Sequence, residues 1–156
     1  MKYRRKKSSS GFIIIGLIII AFILVLYFLF RSTPESQVKR VVDDFYQYEQ
    51  ESDFGNAWEL FHPFMRDKFT RRGYIQDRNH VFMGHFDVST FSYTIGDPKL
   101  LDSWKMSRES DPINEVYQIP ITQTFKSKFG TFTLSQDVFV AKDKEDGDWS
   151  ILWSYE

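Results

Sequence analysis

Between Gly11 and Phe30 the chain runs for twenty residues without a charged side chain, GFIIIGLIIIAFILVLYFLF. At about 1.5 Å per residue, a helix of that length spans roughly 30 Å, the thickness of a bilayer's hydrocarbon core, where a single segment can satisfy its backbone only as a helix. The run predicts a transmembrane helix over 11–30, starting at Gly11 and Phe12, continuing through Gly16, Leu17 and Leu24, and ending at Phe30. Lys2, Arg4, Arg5, Lys6 and Lys7 precede it, whereas Arg31 alone follows closely. That bias predicts a cytoplasmic basic tail over 1–10 and an extracytoplasmic location for everything from Arg31 onward. A cleaved signal peptide is the competing reading of a basic patch followed by an apolar run. Its apolar region is usually about 7 to 15 residues and ends in a small-x-small site, whereas this run is longer and exits through Leu29-Phe30-Arg31-Ser32. The chain has no cysteine, which excludes both a lipid-modified cysteine and a disulfide framework.

Residues 31–156 are of a size for one domain with one core. Six of the twenty cations lie at or before Arg31 and all twenty-one acids lie after it. Fourteen cations against twenty-one acids give the remainder a net charge of −7, which repels phosphate backbones and argues against nucleic acid as a partner. Phe, Tyr and Trp supply 22 residues after Arg31, enough large rings either to fill a deep core or to line a cavity.

Thr33-Pro34-Glu35 is a helix start, with a hydroxyl, a proline tolerated at the first position and an acid at the positive pole. Val38, Val41, Val42, Phe45 and Tyr48 then form one apolar face, and the acids Asp43, Asp44, Glu49 and Glu51 read as its solvated side. A short helix is expected from about Asn56, with Pro63 as its end or a kink, and a third from about Thr70 to Met83. After Gly84 the pattern turns to alternation. Strands are expected over Val88–Ile95, Glu115–Phe125, Thr131–Ala141 and Trp149–Tyr155, with Pro120 suggesting an edge or bulge and Leu100, Leu101 and Trp104 as an extension of an early strand. Helices followed by strands joined through short turns argue for an α+β domain in which an antiparallel sheet wraps the helices.

The opening PESQVKRVVDDFYQYEQESDFGNAWELFHPF and the closing DGDWSILWSYE resemble the NTF2-like superfamily of cone-shaped α+β domains. With the anchor, the ending is similar to the extracytoplasmic domain at the N-terminal side of some Gram-positive penicillin-binding transpeptidases. No transpeptidase domain follows, so that resemblance implies a spacer or docking role without catalysis. The VirB8-type components of conjugation and secretion machines share the architecture of one transmembrane helix before an NTF2-like domain. Other members of the superfamily bind small ligands or perform acid–base chemistry in the cavity of the cone.

Few residues suggest chemistry. His62, before Pro63, reads as a helix cap as naturally as a catalytic group. Asp77, His80, His85 and Asp87 have the residue types of a metal site without its spacing, so no metal or cofactor is expected. Arg66, Lys68, Arg71 and Arg72 read as a solvated basic face. Trp149, Trp153 and Tyr155 alternate on the last strand and carry two readings, core against the first helix or an outward patch for a protein partner. Together these features lead to the expectation of a single-pass protein of the bacterial cell membrane. Residues 11–30 contact the bilayer and the outer domain is a non-enzymatic docking or assembly module for an envelope protein, monomeric or weakly dimeric. Ligand binding or acid–base chemistry in a cavity is the alternative.

Overall fold

The computed structural model describes residues 15, 17–23, 25, 32–81, 88, 90–144 and 146–155. The chain divides into two compact units, Met1–Thr33 and Pro34–Glu156. In the first, residues 15, 17–23 and 25 are helical, and every one of their side chains, Leu17 included, is exposed. Among the described residues no helix is long and apolar enough to cross a membrane. The predicted span's other markers, Gly11, Phe12, Gly16, Leu24 and Phe30, lie outside the described residues, as do Lys2, Arg4, Arg5, Lys6 and Lys7.

Among its described residues the second unit is α+β, four α-helices followed by five antiparallel strands. Helix α1, Pro34–Gln50, buries Val38, Val42, Phe45, Tyr46 and Glu49, a stripe at helical spacing. Its burial of Glu49 corrects the expectation of a solvated acid: the residue stands four positions after Phe45, so the stripe carries it inward. Helix α2, Phe54–Glu59, begins two residues before the expected start, because the Asp53 carboxylate accepts from the Asn56 amide and caps it.

Pro63 opens a helix instead of ending one. Helix α3, Pro63–Lys68, has proline in its first turn, where a missing N–H costs nothing, and His62 as its N-cap. Helix α4, Arg71–Asn79, starts after Thr70, whose hydroxyl accepts from the Gly73 amide. A π-helical turn at residues 80–81 continues it, and the expected end at Met83 lies outside the described residues.

Strands β1 (Phe91–Ile95) and β2 (Lys99–Trp104) pair with different halves of the fifteen-residue β3 (Ile113–Ser127). Gly96 forms the corner between them and donates its amide to the Pro120 carbonyl at 2.8 Å. Pro120 therefore sits inside β3 at the break between two neighbouring strands, where its lack of an N–H leaves no ladder partner unpaired. Strand β4 (Gly130–Lys142) returns along β3, and β5 (Trp149–Trp153) pairs with the second half of β4. The outer edge of β5 is covered by chain following α2: Ile151 donates to Leu60 O at 2.8 Å and His62 donates to Ile151 O at 3.0 Å.

Helix α1 lies across the inner face of this sheet. Near its start Gln37 accepts from the Trp149 indole at 3.0 Å, and at its end Gln50 donates to the Phe91 carbonyl at 2.6 Å. Between these points Phe45 packs at 5.4 Å from Phe61 and 6.0 Å from Trp153, and Phe61 meets Tyr74 edge-on at 4.9 Å. The opposite face holds a smaller cluster in which Trp104 stacks on Phe139 at 4.2 Å. Alternation fails at Glu115, whose φ of 56° puts Ile113 and Val116, three positions apart, both inside.

Candidate functional site: a recess between the helices and the long hairpin

The β3–β4 hairpin runs past α1, and between its inner face and the helices lies a recess of about 370 Å3. That volume falls at the small end of the range for sites that enclose a small molecule. Helix α1 contributes Tyr46 and α4 contributes Arg78, followed by Val81; β3 supplies Gln123 and Phe125, β4 supplies Phe132, Leu134 and Gln136, and β5 supplies Trp153. Phe125 and Phe132 are cross-strand partners stacked at 4.9 Å, which fixes the hairpin's inner surface as an aromatic wall. Val81, Phe132 and Leu134 are exposed and form an apolar rim.

The inner end is polar. Gln136 donates to the Tyr46 hydroxyl at 3.0 Å. Burial raises the Tyr46 pKa to about 12, with the bond from Gln136 opposing the shift, so the phenol stays protonated at neutral pH. Gln123 Nε2 and Trp153 Nε1 are both buried without a hydrogen-bond partner. Gln123 is 2% exposed, so its amide cannot turn to bulk water instead. Leaving a buried donor unpaired costs about 1–3 kcal/mol, and both of these side chains belong to the lining of the recess.

Beside the recess, Glu49 accepts from the Tyr74 hydroxyl at 2.5 Å and forms an ion pair with Arg78 Nη2. Desolvation pushes the Tyr74 pKa well above 10 and lowers Arg78 to about 10, which leaves the phenol neutral and the guanidinium charged at pH 7. Both oxygens of this carboxylate are thus occupied, and the Glu49–Arg78 pair is electrically neutral overall.

The aromatic residues singled out on the last strand have three different settings. Trp153 is packed among Phe45, Phe61 and Tyr74 and lines the recess. Trp149 is half-buried, with the Lys142 ammonium 5.1 Å from its ring. Tyr155 lies beyond the end of β5 with Lys68 over its ring at 3.5 Å, and burial raises its pKa to about 12. His62 is a cap at a helix N-terminus, its Nδ1 accepting from the Phe64 amide at 3.2 Å, which corrects its expected place at a negative pole. Burial lowers its pKa, and the accepting Nδ1 is consistent with a neutral ring.

Arg66 sits over Trp58, and Arg71 pairs with Glu59 at 3.1 Å, so the basic stretch is partly tied down within the fold. His85 and Asp87 lie outside the described residues, and among the described residues no group of three His, Asp or Glu side chains is arranged to hold a metal. The sequence reading overlooked Tyr46, Arg78, Gln123 and Gln136. A usable signal existed for Gln123: it occupies the buried parity of β3, shared with Tyr117, Ile119, Ile121 and Phe125, where an amide is out of character. No protein-family model and no curated protein matches the chain.

Proposed function

We propose that the chain is a single-pass protein of the bacterial envelope whose extracytoplasmic, NTF2-like domain binds a small molecule without transforming it. The observation that carries this reading is the 370 Å3 recess with two unpartnered buried donors, Gln123 Nε2 and Trp153 Nε1. A cavity lined by rings and a few convergent polar groups is the usual form of a ligand site. The order of four helices before a five-stranded antiparallel sheet, with α1 against the sheet's inner face, supports the cone-like reading. The exposed apolar side chains of helical residues 15, 17–23 and 25 support a segment that rests in lipid. Glu49, the partner of Arg78 beside the recess, has both oxygens engaged and no free oxygen to act as a base, which favours binding over acid–base chemistry.

Docking to an envelope protein is the second reading. It is favoured by the tip of the hairpin, where Phe129, outside the lining of the recess, is 77% exposed. One pair of variants separates the two. Leu134→Trp at the rim of the recess should abolish small-molecule binding and leave capture of an envelope partner intact, whereas Phe129→Ser should do the reverse. Ligand-observed NMR and crosslinking in intact cells read the two outcomes. A loss of partner capture with Leu134→Trp and none with Phe129→Ser would move the docking surface into the recess and remove the small-molecule reading.

A further inference from the structure

The chemistry of the recess specifies the class of ligand, an inference that rests on the cavity-binding reading above. We infer that the recess takes an uncharged, elongated and largely apolar molecule that enters with a hydrogen-bond acceptor, a carbonyl or ether oxygen, foremost. The acceptor meets Gln123 Nε2 and Trp153 Nε1, and the apolar body lies along Phe125 and Phe132.

The polarity of the ligand's inner end follows from the groups awaiting a partner. Both unpaired atoms are N–H donors, and Tyr46, already accepting from Gln136, still has its own proton to give. A donor or a cation placed there would face N–H groups and the Arg78 guanidinium. An acceptor that reaches Gln123 Nε2 or Trp153 Nε1 gives a buried donor the partner it lacks.

Its charge follows from Arg78. A carboxylate ligand would need that guanidinium as counterion, but Arg78 is already paired with Glu49, whose side chain is fully buried. Adding an anion would leave one negative charge uncompensated in a desolvated site, within a domain of net charge −7. A neutral acceptor avoids that penalty. Its orientation follows from the rim: Val81, Phe132 and Leu134 are apolar and exposed, so an apolar tail that reaches the mouth covers them from water.

The test uses three probes with the same apolar body: 4′-butylacetophenone, 4-butylbenzoate and pentylbenzene, titrated into the full chain in lipid nanodiscs. The readout is the side-chain amide resonance of Gln123 and the indole resonance of Trp153, assigned with Gln123→Leu and Trp153→Phe. The ketone should shift both resonances and bind about tenfold more tightly than pentylbenzene, with the benzoate weakest. Gln123→Leu should bring the ketone to within about twofold of pentylbenzene while pentylbenzene itself is unaffected. That variant removes an unpaired buried donor, so its thermal midpoint should equal or exceed that of the parent; Gln123→Met serves as the second, unbranched control. If the benzoate binds best, or if pentylbenzene matches the ketone, the ligand class is wrong and the cavity reading stands. If none of the three probes moves either resonance, the inference and the cavity reading fall together.

Discussion

Glu49 illustrates how a residue that reads as surface can be pulled inside by geometry and then held there by partners. Its position on the α1 stripe forces burial, and Tyr74 and Arg78 supply the hydrogen bonds that make a buried carboxylate tolerable. Removing only the acid leaves Arg78 desolvated without its counterion. Glu49→Gln should therefore destabilise the fold by about 3 kcal/mol, while the double substitution Glu49→Leu with Arg78→Met should recover most of the loss. Urea unfolding of the four proteins in the cycle measures both numbers. His62 gives the corresponding pH prediction. Burial lowers its folded-state pKa below the ordinary 6.5, so in the window between the two values the unfolded chain binds more protons than the folded one. The stability that His62 contributes is complete above about pH 6.5 and is lost as pH falls through the lowered value. His62→Asn, which keeps a capping acceptor, should flatten that part of the pH profile, whereas His62→Ala should also cost about 1 kcal/mol at neutral pH. Thermal midpoints across pH 4 to 8 decide between the two.

At the level of elements, what periodicity could express was legible in the sequence and what single residues decide was not. Helix α1 and most of strands β3 and β4 follow from spacing, since each has several turns or repeats over which a pattern accumulates, and the turn between the two strands follows from Gly130. Helix α3 has only six residues, too few for a stripe, and proline is equally at home ending one helix or opening the next. The recess was illegible for a related reason: its polar groups come from α1, α4, β3, β4 and β5, and only the fold brings them together. Glu115 is a third case, because nothing in INEVYQ announces a left-handed residue that breaks the alternation of β3. A non-glycine residue at φ 56° bears strain that glycine does not. Glu115→Gly should leave stability unchanged or raise it by about 0.5 kcal/mol, the relief being partly offset by glycine's larger unfolded-state entropy. Glu115→Val, with a β-branched side chain at the same angle, should lower it by about 1–2 kcal/mol. Denaturant midpoints of the two variants, compared with the parent, should move in these opposite directions or split as zero and negative.

On the scale of the whole molecule, the tip of the long hairpin lies far along the sheet from the start of α1. Gln37, near the start of α1, is bonded to Trp149, which pairs with Lys142; from there β4 runs twelve residues to Gly130, about 40 Å at 3.3 Å per residue. The apolar run at 11–30 and the residues that line the recess have no position in common, so the proposed attachment and the proposed recognition can each be changed without altering the other's residues. The proposed orientation rests on Lys2, Arg4, Arg5, Lys6 and Lys7, because acids contribute little to topology and the −7 of the domain does not oppose its export. Replacing all five cations with glutamine should leave insertion intact, since the twenty-residue run is unchanged, but randomise its direction. In intact cells, a tag after Glu156 is expected to be fully accessible to added protease in the parent and protected in a substantial fraction of the variant. The absence of cysteine makes this a clean measurement: no disulfide ties folding to an oxidising compartment, so the domain should fold on either side of the membrane. Protection then reports direction and not misfolding, which limited proteolysis after lysis checks by yielding the same resistant fragment from both populations. A parent tag already shielded in intact cells would place the domain in the cytoplasm and remove the envelope from the proposed function, while leaving the recess and its ligand chemistry where they are.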